Sequence, residues 1–308
     1  MPLDIVPVLA STVRFSTPLT FAALGGIISE RSGIVNIGLE GMMLTGAFFG
    51  VFGSYLTGNP WIGLAFAVGS AGVLGLLHAL MTIRFQADQI ISGTAINLIA
   101  LGGTSYLLNQ IYGHPGSSPQ VQGFNDINVW LLHSVPIVGP ILFSQSAFIW
   151  AALLATPGIW WLLWHTALGL RLRASGEAPG ALESAGVNVI VIRYAAVTAS
   201  GALCGVAGAY LSLSLLSAFS ENMTAGRGFI ALAAVIFSGW RAGRALLATL
   251  FFGFTDAIVI RFPQDAVSPE FLYMIPYVAT IVALVIFGGR AVGPASVGKP
   301  YQPGRSRS

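Results

Sequence analysis

The sequence predicts an all-α protein, a polytopic bundle of about eight to ten membrane-spanning helices in which one helix is broken or re-entrant. Hydrophobic residues make up 55% of the chain and charged residues only 8%, whereas soluble domains carry about 25% charged residues. A chain so poor in charge cannot cover its surface for water, and its mean hydropathy of +0.79 agrees. The apolar runs are unbroken rather than alternating, which favours helices over a β-barrel.

Crossing the hydrocarbon layer takes about 20 apolar residues, and several stretches of the chain meet this length. In chain order they are 5–28, 35–55, 60–83, 90–111, 147–164, 191–216, 245–260 and 271–287, of which the first two are the least apolar. Stretch 229–240 is too short to cross, so we expect a half-helix or re-entrant segment packed inside the protein. Arg14 lies within the first stretch, where a charge is costly, so it should face protein or water. Alternatively, residues 1–14 lie along the membrane interface.

Lysine and arginine residues in the connections predict the orientation of the chain, because they are enriched on the cytoplasmic side. They cluster between spans and in the tail, at Arg84, Arg171, Arg173, Arg193, Arg241, Arg244, Arg290, Lys299, Arg305 and Arg307. This placement indicates membrane orientation rather than nucleic-acid binding. We expect an outside N-terminus and a cytoplasmic C-terminus, with a transmembrane domain at 1–290 and a tail at 291–308. The domain would carry a cytoplasmic loop at 165–193 and a periplasmic loop at 113–145.

Segment 25–41 places polar side chains beside glycines at the head of an apolar run. These residues are Glu30, Arg31, Asn36 and Glu40, with Gly33, Gly38 and Gly41 among them. Glycines weaken a helix, and broken helices form polar sites at membrane depth in many carriers. The segment is therefore either a discontinuous helix that lines a solute pathway, or a turn whose buried Asn and Glu tie helices together. Composition alone favours neither.

The loop at 165–193 contains a predicted short helix. Pro179 suits its first turn, Ala185 lies near its end, and Gly186 suits its C-cap. Such a helix could insert into a groove on a partner protein. Alternatively, the loop is a solvated basic turn. That would explain Arg171 and Arg173, but not a capped helix at 179–186.

Two further patterns predict packing rather than chemistry. Gly201, Gly205 and Gly208 recur at helical spacing, which is typical of close helix–helix contact in membranes. The single Cys204 excludes a disulfide within the chain, and its apolar surroundings predict a buried structural thiol.

Signatures of nucleotide-binding and catalytic sites are not found in the sequence. Segment 293–300 nearly spells a phosphate-binding loop, but Pro300 replaces the required hydroxyl residue, and no strand precedes the segment. The four histidines are scattered and form no zinc motif, so we expect neither catalytic residues nor a metal site. Asp256 could serve a proton relay, although an interhelical hydrogen bond is the commoner role of such a residue. If transport uses ATP, another chain must bind it.

Motifs in order along most of the chain resemble the permeases of nucleoside and simple-sugar ABC importers, within the superfamily of ribose and branched-chain amino-acid permeases. They are ERSGIVNIGLEGMMLTGA at 30–47, ISGTAIN at 91–97, GLRLRASGE at 169–177, RGFIALAAVIF at 227–237, PY at 276–277 and PASVGKPY at 294–301. Ser175 and Ala178 depart from the Val and Asn that are more typical of the family. These two residues lie in the cytoplasmic loop, so the departure bears on how a partner protein docks there and not on the family resemblance.

The resemblance implies an assembly. Two permease subunits pair in the membrane, usually as different chains in the nucleoside branch. A cytoplasmic ATPase binds ATP and docks on the loop at 165–193, while an extracytoplasmic binding protein delivers the solute. On this chain we expect ATPase coupling through Arg171, Arg173, Gly176, Glu177, Pro179, Glu183 and Gly186. We expect the solute to pass Asn36, Glu40, Asn97 and Asp256.

The expected function is therefore that of a permease subunit, not an enzyme, in a bacterial inner membrane. Nucleosides are the leading solutes and simple sugars come next. The alternative is a stand-alone secondary carrier or facilitator for a small polar solute, which would need neither an ATPase nor a binding protein.

Overall fold

Helices make up most of the described part of the chain. A computed structural model describes residues 5–113, 115–128, 139, 141, 144–261, 269–287 and 292–302. The helices are α1 (Ile5–Arg31), α2 (Leu39–Thr57), α3 (Pro60–Ala79), α4 (Gln89–Tyr112), α5 (Ala147–His165), α6 (Ala167–Glu177), α7 (Pro179–Ser184), α8 (Val189–Ala209), α9 (Arg227–Phe237), α10 (Ala242–Arg261) and α11 (Pro269–Phe287). Helices α3 and α8 each end in a π-helical turn, Leu80–Arg84 and Tyr210–Leu215. Two short strands, β1 (Ile127–Asn128) and β2 (Ser144–Gln145), pair antiparallel.

Local capping residues explain several helix ends. The Asp88 side chain accepts hydrogen bonds from two backbone N–H groups at the start of α4, and Asn188 does the same for one N–H of α8. Helices α2 and α4 both stop where a glycine, Gly58 or Gly113, adopts a left-handed backbone conformation. These side chains and glycines satisfy backbone groups that the first and last turns of a helix leave unpaired.

The prediction of a polytopic helical membrane protein is confirmed. Among the described residues, seven helices are long and apolar enough to cross a membrane. Helix α11, with 19 residues, has a similar length. Helix α9 has only 11 residues, as expected of a half-helix. Helix α1 is continuous from residue 5 to residue 31, so Arg14 lies within a helix and does not end a separate interfacial segment.

The core of the bundle consists of α1, α2 and α8. Helix α8 packs against α1, α2 and α3, and α1 also packs against α10. In the most apolar part of α2, 78% of the residues are buried, against 28% in α4 and in α5. Helices α4 and α5 are therefore peripheral, and their large exposed apolar side chains suit a lipid environment.

Small residues allow the central helices to approach closely, as the glycine spacing predicts. A Cβ atom at Gly201 or Gly205 would clash with the backbone of α3, and one at Gly208 would clash with the backbone of α2. Cys204 lies on the same helix and is fully buried, in agreement with a structural thiol.

Polar contacts distinguish the two ends of the bundle. At one end the Arg14 guanidinium donates to Gln145 at 2.6 Å and lies 3.6 Å from the Asp126 carboxylate. Arg14 thus faces protein, as expected. At the other end, α1 finishes near α6 and the tail segment 292–302. We call this the arginine-rich end because Arg31, Arg84, Arg171, Arg173 and Arg241 lie there. Part of the loop predicted at 113–145, together with Arg290, Arg305 and Arg307, lies outside the described residues.

Candidate functional site

The connection between α1 and α2 is a break that turns back into the protein. We call residues 32–38 the break segment. Gly33 has a positive φ of +100°, a conformation that L-residues with a side chain adopt rarely. The Ser29 hydroxyl donates to the carbonyl oxygen of Ile34 at 2.8 Å, and the Ser29 carbonyl accepts from the N–H groups of Ser32 and Ile34. These bonds hold the turn that follows α1.

The start of α2 meets the start of the half-helix α9 in the interior. One Glu40 carboxylate oxygen accepts a hydrogen bond from the Gly226 N–H at 2.8 Å, and the other accepts from the Gly228 N–H at 2.6 Å. Helix α9 runs to the arginine-rich end, so at ~1.5 Å per residue its start lies roughly 16 Å from that end. Glu40 therefore sits at depth and caps a helix whose N-terminus carries partial positive charge.

Two asparagines anchor the break segment to the neighbouring helices. The buried Asn36 donates to the Ser200 hydroxyl on α8 at 3.0 Å and accepts from the Gly38 N–H at 3.1 Å. Asn97 on α4 accepts from the Gly41 N–H at 2.8 Å and donates to the Ile37 carbonyl at 3.0 Å. These amides bond groups within the chain, so the geometry is that of polar residues tying helices together.

Val35 is held by side chains from two further elements. Its N–H donates to Gln89 at the start of α4 at 2.7 Å, and its carbonyl contacts the His78 ring of α3 at 2.9 Å. His78 also contacts the Ser92 hydroxyl on α4 at 3.0 Å. The break segment is thus fixed to α3, α4 and α8 at successive residues.

The predicted pathway residues fall into two groups. Asn36, Glu40 and Asn97 come together around the break segment. Asp256 lies apart on α10, half-buried and within electrostatic reach of Arg227 at the start of α9. Contact of any of them with a solute stays a prediction. Among the described residues no group of three or more His, Cys, Asp and Glu side chains forms a possible metal site.

At the arginine-rich end, α6 packs against the end of α1. The Arg31 guanidinium donates to the Trp240 carbonyl at 3.2 Å and lies 3.7 Å from the Glu177 carboxylate. Gly176 is buried, and a Cβ atom there would clash with the Arg31 carbonyl. Arg173 stacks over the Trp164 ring at 4.2 Å. Two of the predicted coupling residues, Gly176 and Glu177, thus contact the end of α1, and a third, Arg173, contacts α5.

The predicted short helix is present as α7. Pro179 is its first residue, and Gly186 follows its end with a positive φ of +78°. The Gly186 N–H donates to the Glu183 carbonyl at 2.8 Å, which closes the last turn. Leu182 points inwards while Glu183 and Gly186 are exposed, as is Arg171 on α6. A short capped helix with an exposed face therefore stands on this end of the bundle.

The tail segment, residues 292–302, lies across this region. The Ser296 N–H donates to the Gly176 carbonyl at 2.8 Å, and the Gly298 N–H donates to the Gly33 carbonyl at 3.2 Å. The Tyr301 hydroxyl donates to the Glu183 carboxylate at 2.5 Å. Desolvation and this carboxylate raise the pKa of Tyr301 to about 12, so the hydroxyl remains a donor at neutral pH.

Several residues that complete this region carry no site role in the sequence-based predictions. Arg193 is buried, donates to the Ser175 carbonyl at 3.0 Å and lies beneath the Tyr301 ring at 5.4 Å. Trp240 donates to the buried Glu30 carboxylate. An arginine inside an apolar run was a usable signal for Arg193. The Trp240 contact spans 210 residues and leaves no local pattern.

Comparison with known proteins agrees with the sequence motifs. The family model of the permease component of branched-chain amino acid transport systems matches residues 8–284. The guanosine ABC transporter permease protein NupQ of Bacillus subtilis is 38% identical, over 98% of this chain and 100% of its own. The nucleoside ABC transporter permease protein NupC of Lactococcus lactis is 39% identical, over 96% of each chain. The putative glucose ABC transporter permease protein TsgC13 of Haloferax volcanii is 35% identical, over 90% of each chain.

Proposed function

Because this chain belongs to the family of permease components of branched-chain amino acid transport systems, we propose that it is the membrane subunit of an ATP-binding cassette importer that takes up nucleosides. The observation that carries the proposal is its similarity, over nearly the whole chain, to permeases named for guanosine and for nucleosides. Sugars are the second candidate solute, because a relative of almost equal identity is named for glucose.

The assembly that we propose has four kinds of component. This chain and a second, different permease form the membrane passage, in a bacterial inner membrane. A cytoplasmic ATPase binds ATP, and this chain itself binds no cofactor. A binding protein on the outer side delivers the solute. The transmembrane domain at 1–290 and the tail at 291–308 are proposed as the division of the chain.

The arginine-rich end is the proposed docking site for the ATPase. Its exposed short helix α7, together with Arg171, Arg173, Gly176 and Glu177 on α6, supports this assignment. Such a helix fits a groove on a partner and moves with it. The contacts of Gly176 and Glu177 with the end of α1 provide a route by which that motion reaches the break segment.

The proposed solute passage runs beside Asn36, Glu40, Asn97 and Asp256. Their position at depth in an otherwise apolar bundle supports this proposal, since polar groups are costly there and mark solute routes in many carriers. The internal hydrogen bonds of the first three indicate that a passing solute would meet backbone and apolar groups of the break segment as well as these side chains.

A reconstituted transporter tests the proposal. The chain, its partner permease and its ATPase are placed in liposomes with the binding protein and [³H]guanosine, and uptake is followed with and without ATP. We expect ATP-dependent guanosine uptake that unlabelled nucleosides compete for and glucose does not. Uptake of labelled glucose in the same liposomes, without uptake of guanosine, would assign the transporter to sugars. Uptake of guanosine by this chain alone, without ATP, would overturn the proposal of an importer and favour a stand-alone secondary carrier or facilitator.

A further inference from the structure

The tail segment contacts parts of the chain that are distant in sequence. Besides the bonds to Gly33, Gly176 and Glu183, its Ala295 N–H donates to the Glu177 carboxylate at 3.2 Å. The Gln302 side chain donates to that of Gln86, between α3 and α4, at 3.1 Å. One stretch of 11 residues (292–302) thus touches the break segment, α6, α7 and the α3–α4 connection. The tail segment therefore contacts four separate parts of the chain.

The middle of the tail segment is itself a compact turn. The Val297 N–H donates to the Pro294 carbonyl at 3.1 Å, and the Lys299 N–H donates to the Ser296 carbonyl at 3.1 Å. Gly298 has a positive φ of +77°. Within this turn, the N–H of Ser296 binds α6 and that of Gly298 binds the break segment. The two bonds therefore come from one turn.

Helix α7 needs support from outside itself. It has only six residues, and a helix this short is unstable alone because few of its hydrogen bonds offset the cost of nucleation. Leu182 is its buried side chain among the described residues, and Glu183 is held by Tyr301. The Tyr301 ring in turn covers the buried Arg193 guanidinium, whose Nε has no hydrogen-bond partner among the described residues.

We propose that the tail segment is a strap that positions α7 and couples its movement to the break segment, with Tyr301 as the positioning residue. The inference rests on the proposed docking of an ATPase at α7 and goes beyond it. Tyr301 holds α7 through Glu183, the turn at 294–299 transmits displacement, and the bond from Gly298 delivers it to Gly33. Because Gly33 lies in the break segment, which also carries Asn36, the strap links the docking surface to the interior by a second route beside α6.

Two variants and their combination test the strap in the complete transporter. Tyr301→Phe removes the hydroxyl and keeps the ring over Arg193, while Glu183→Gln removes the charged acceptor. We expect each variant to lower the guanosine transported per ATP hydrolysed by about five- to tenfold, the scale of one ordinary intramolecular hydrogen bond at an exposed site. The double variant should be no worse than either single one, because both remove the same contact. Tyr106→Phe on the exposed face of α4 is the matched control and should leave the ratio unchanged.

The amount of assembled complex is measured for every variant, so that a loss of assembly is distinguished from a loss of coupling. An unchanged transport-to-ATP ratio in Tyr301→Phe, with wild-type guanosine uptake, would overturn the strap and leave the proposed function standing. Additive losses in the double variant would also count against it, because the two residues would then act separately.

A measurement on the isolated chain keeps the strap testable if guanosine is not transported. Spin labels are attached at Ser184→Cys on α7 and Arg84→Cys at the end of α3, in a Cys204→Ala background. Both label positions are exposed. We expect Tyr301→Phe to broaden the distance distribution between the labels, whereas Tyr106→Phe should not. An unchanged distribution would refute positioning by Tyr301 whatever the solute is.

Discussion

At the scale of single residues, the Glu40 carboxylate joins parts of the chain that lie 186 and 188 residues apart, through the N–H groups of Gly226 and Gly228. The first turn of a helix leaves backbone N–H groups unpaired, and at depth water is not available to satisfy them. A carboxylate both accepts these hydrogen bonds and balances the partial positive charge of the helix end. Glu40 is therefore as much a structural cap as a candidate pathway residue.

Replacement of Glu40 should destabilise the bundle. We expect Glu40→Ala to lower the free energy of unfolding by about 2 kcal/mol, because two buried N–H groups lose a charged acceptor. Glu40→Gln should cost about half as much, since one acceptor oxygen remains. Thermal unfolding of the purified protein in detergent measures both. Glu221→Gln, at an exposed position, is the matched control, and equal shifts at positions 40 and 221 would contradict the capping role.

The positive φ of Gly33 leads to a second prediction at the scale of single residues. Gly33→Ala places a side chain where φ is +100° and where a Cβ atom would lie 2.7 Å from the Arg193 guanidinium. We expect a loss of about 1–3 kcal/mol from backbone strain, increased by displacement of Arg193. Gly69→Ala on an open face of α3, where no atom lies within 4 Å of the new Cβ, should change the unfolding temperature little. A Gly33→Ala protein as stable as the Gly69→Ala protein would show that the turn can relax.

At the scale of elements, local sequence signals predicted the helices well. The length of the apolar runs predicted the spans, and the shortness of stretch 229–240 predicted α9 as a half-helix. Pro179 and Gly186 predicted the two ends of α7. Each of these signals acts over one or two helical turns. The partners of the site residues could not be predicted in this way, because the bonds of Glu40 to α9 and of Tyr301 to α7 depend on how distant helices pack. Segment 25–41 could be interpreted either as a helix lining a pathway or as a turn that ties helices together, and only these long-range contacts distinguish the two.

Charge reversal at Glu177 tests the contact between α6 and α1. The ion pair joins a largely buried Arg31 to a half-exposed Glu177, so Glu177→Arg should lower the free energy of unfolding by only about 1 kcal/mol. It would, however, place a third guanidinium beside Arg31 and Arg173 on the proposed docking surface. We expect solute-stimulated ATP hydrolysis in the assembled transporter to fall at least about tenfold through like-charge repulsion at the interface. Glu221→Arg, at an exposed position near the other end, serves as the control, and full stimulation with Glu177→Arg would argue against docking at this site.

At the scale of the whole molecule, the described contacts separate the two ends of the chain. The start of α1 bonds residues of the 113–145 loop, whereas the tail segment bonds α6, α7 and the break segment. The helix order therefore agrees with termini on opposite sides of a membrane. Which end faces the cytoplasm is a prediction from the distribution of arginine.

Accessibility to a membrane-impermeant reagent tests the direction. The arginine-rich end should face the cytoplasm because positively charged connections are retained there, so we expect residue 120 outside and residue 184 inside. Gln120→Cys and Ser184→Cys, both at exposed positions, are made separately in a Cys204→Ala background, since Cys204 is the only native thiol. In intact cells, an impermeant maleimide should label position 120 at once and position 184 only after the membrane is permeabilised. The reverse pattern would place α7 outside, where no cytoplasmic ATPase could reach it, and would exclude the docking surface and the strap together.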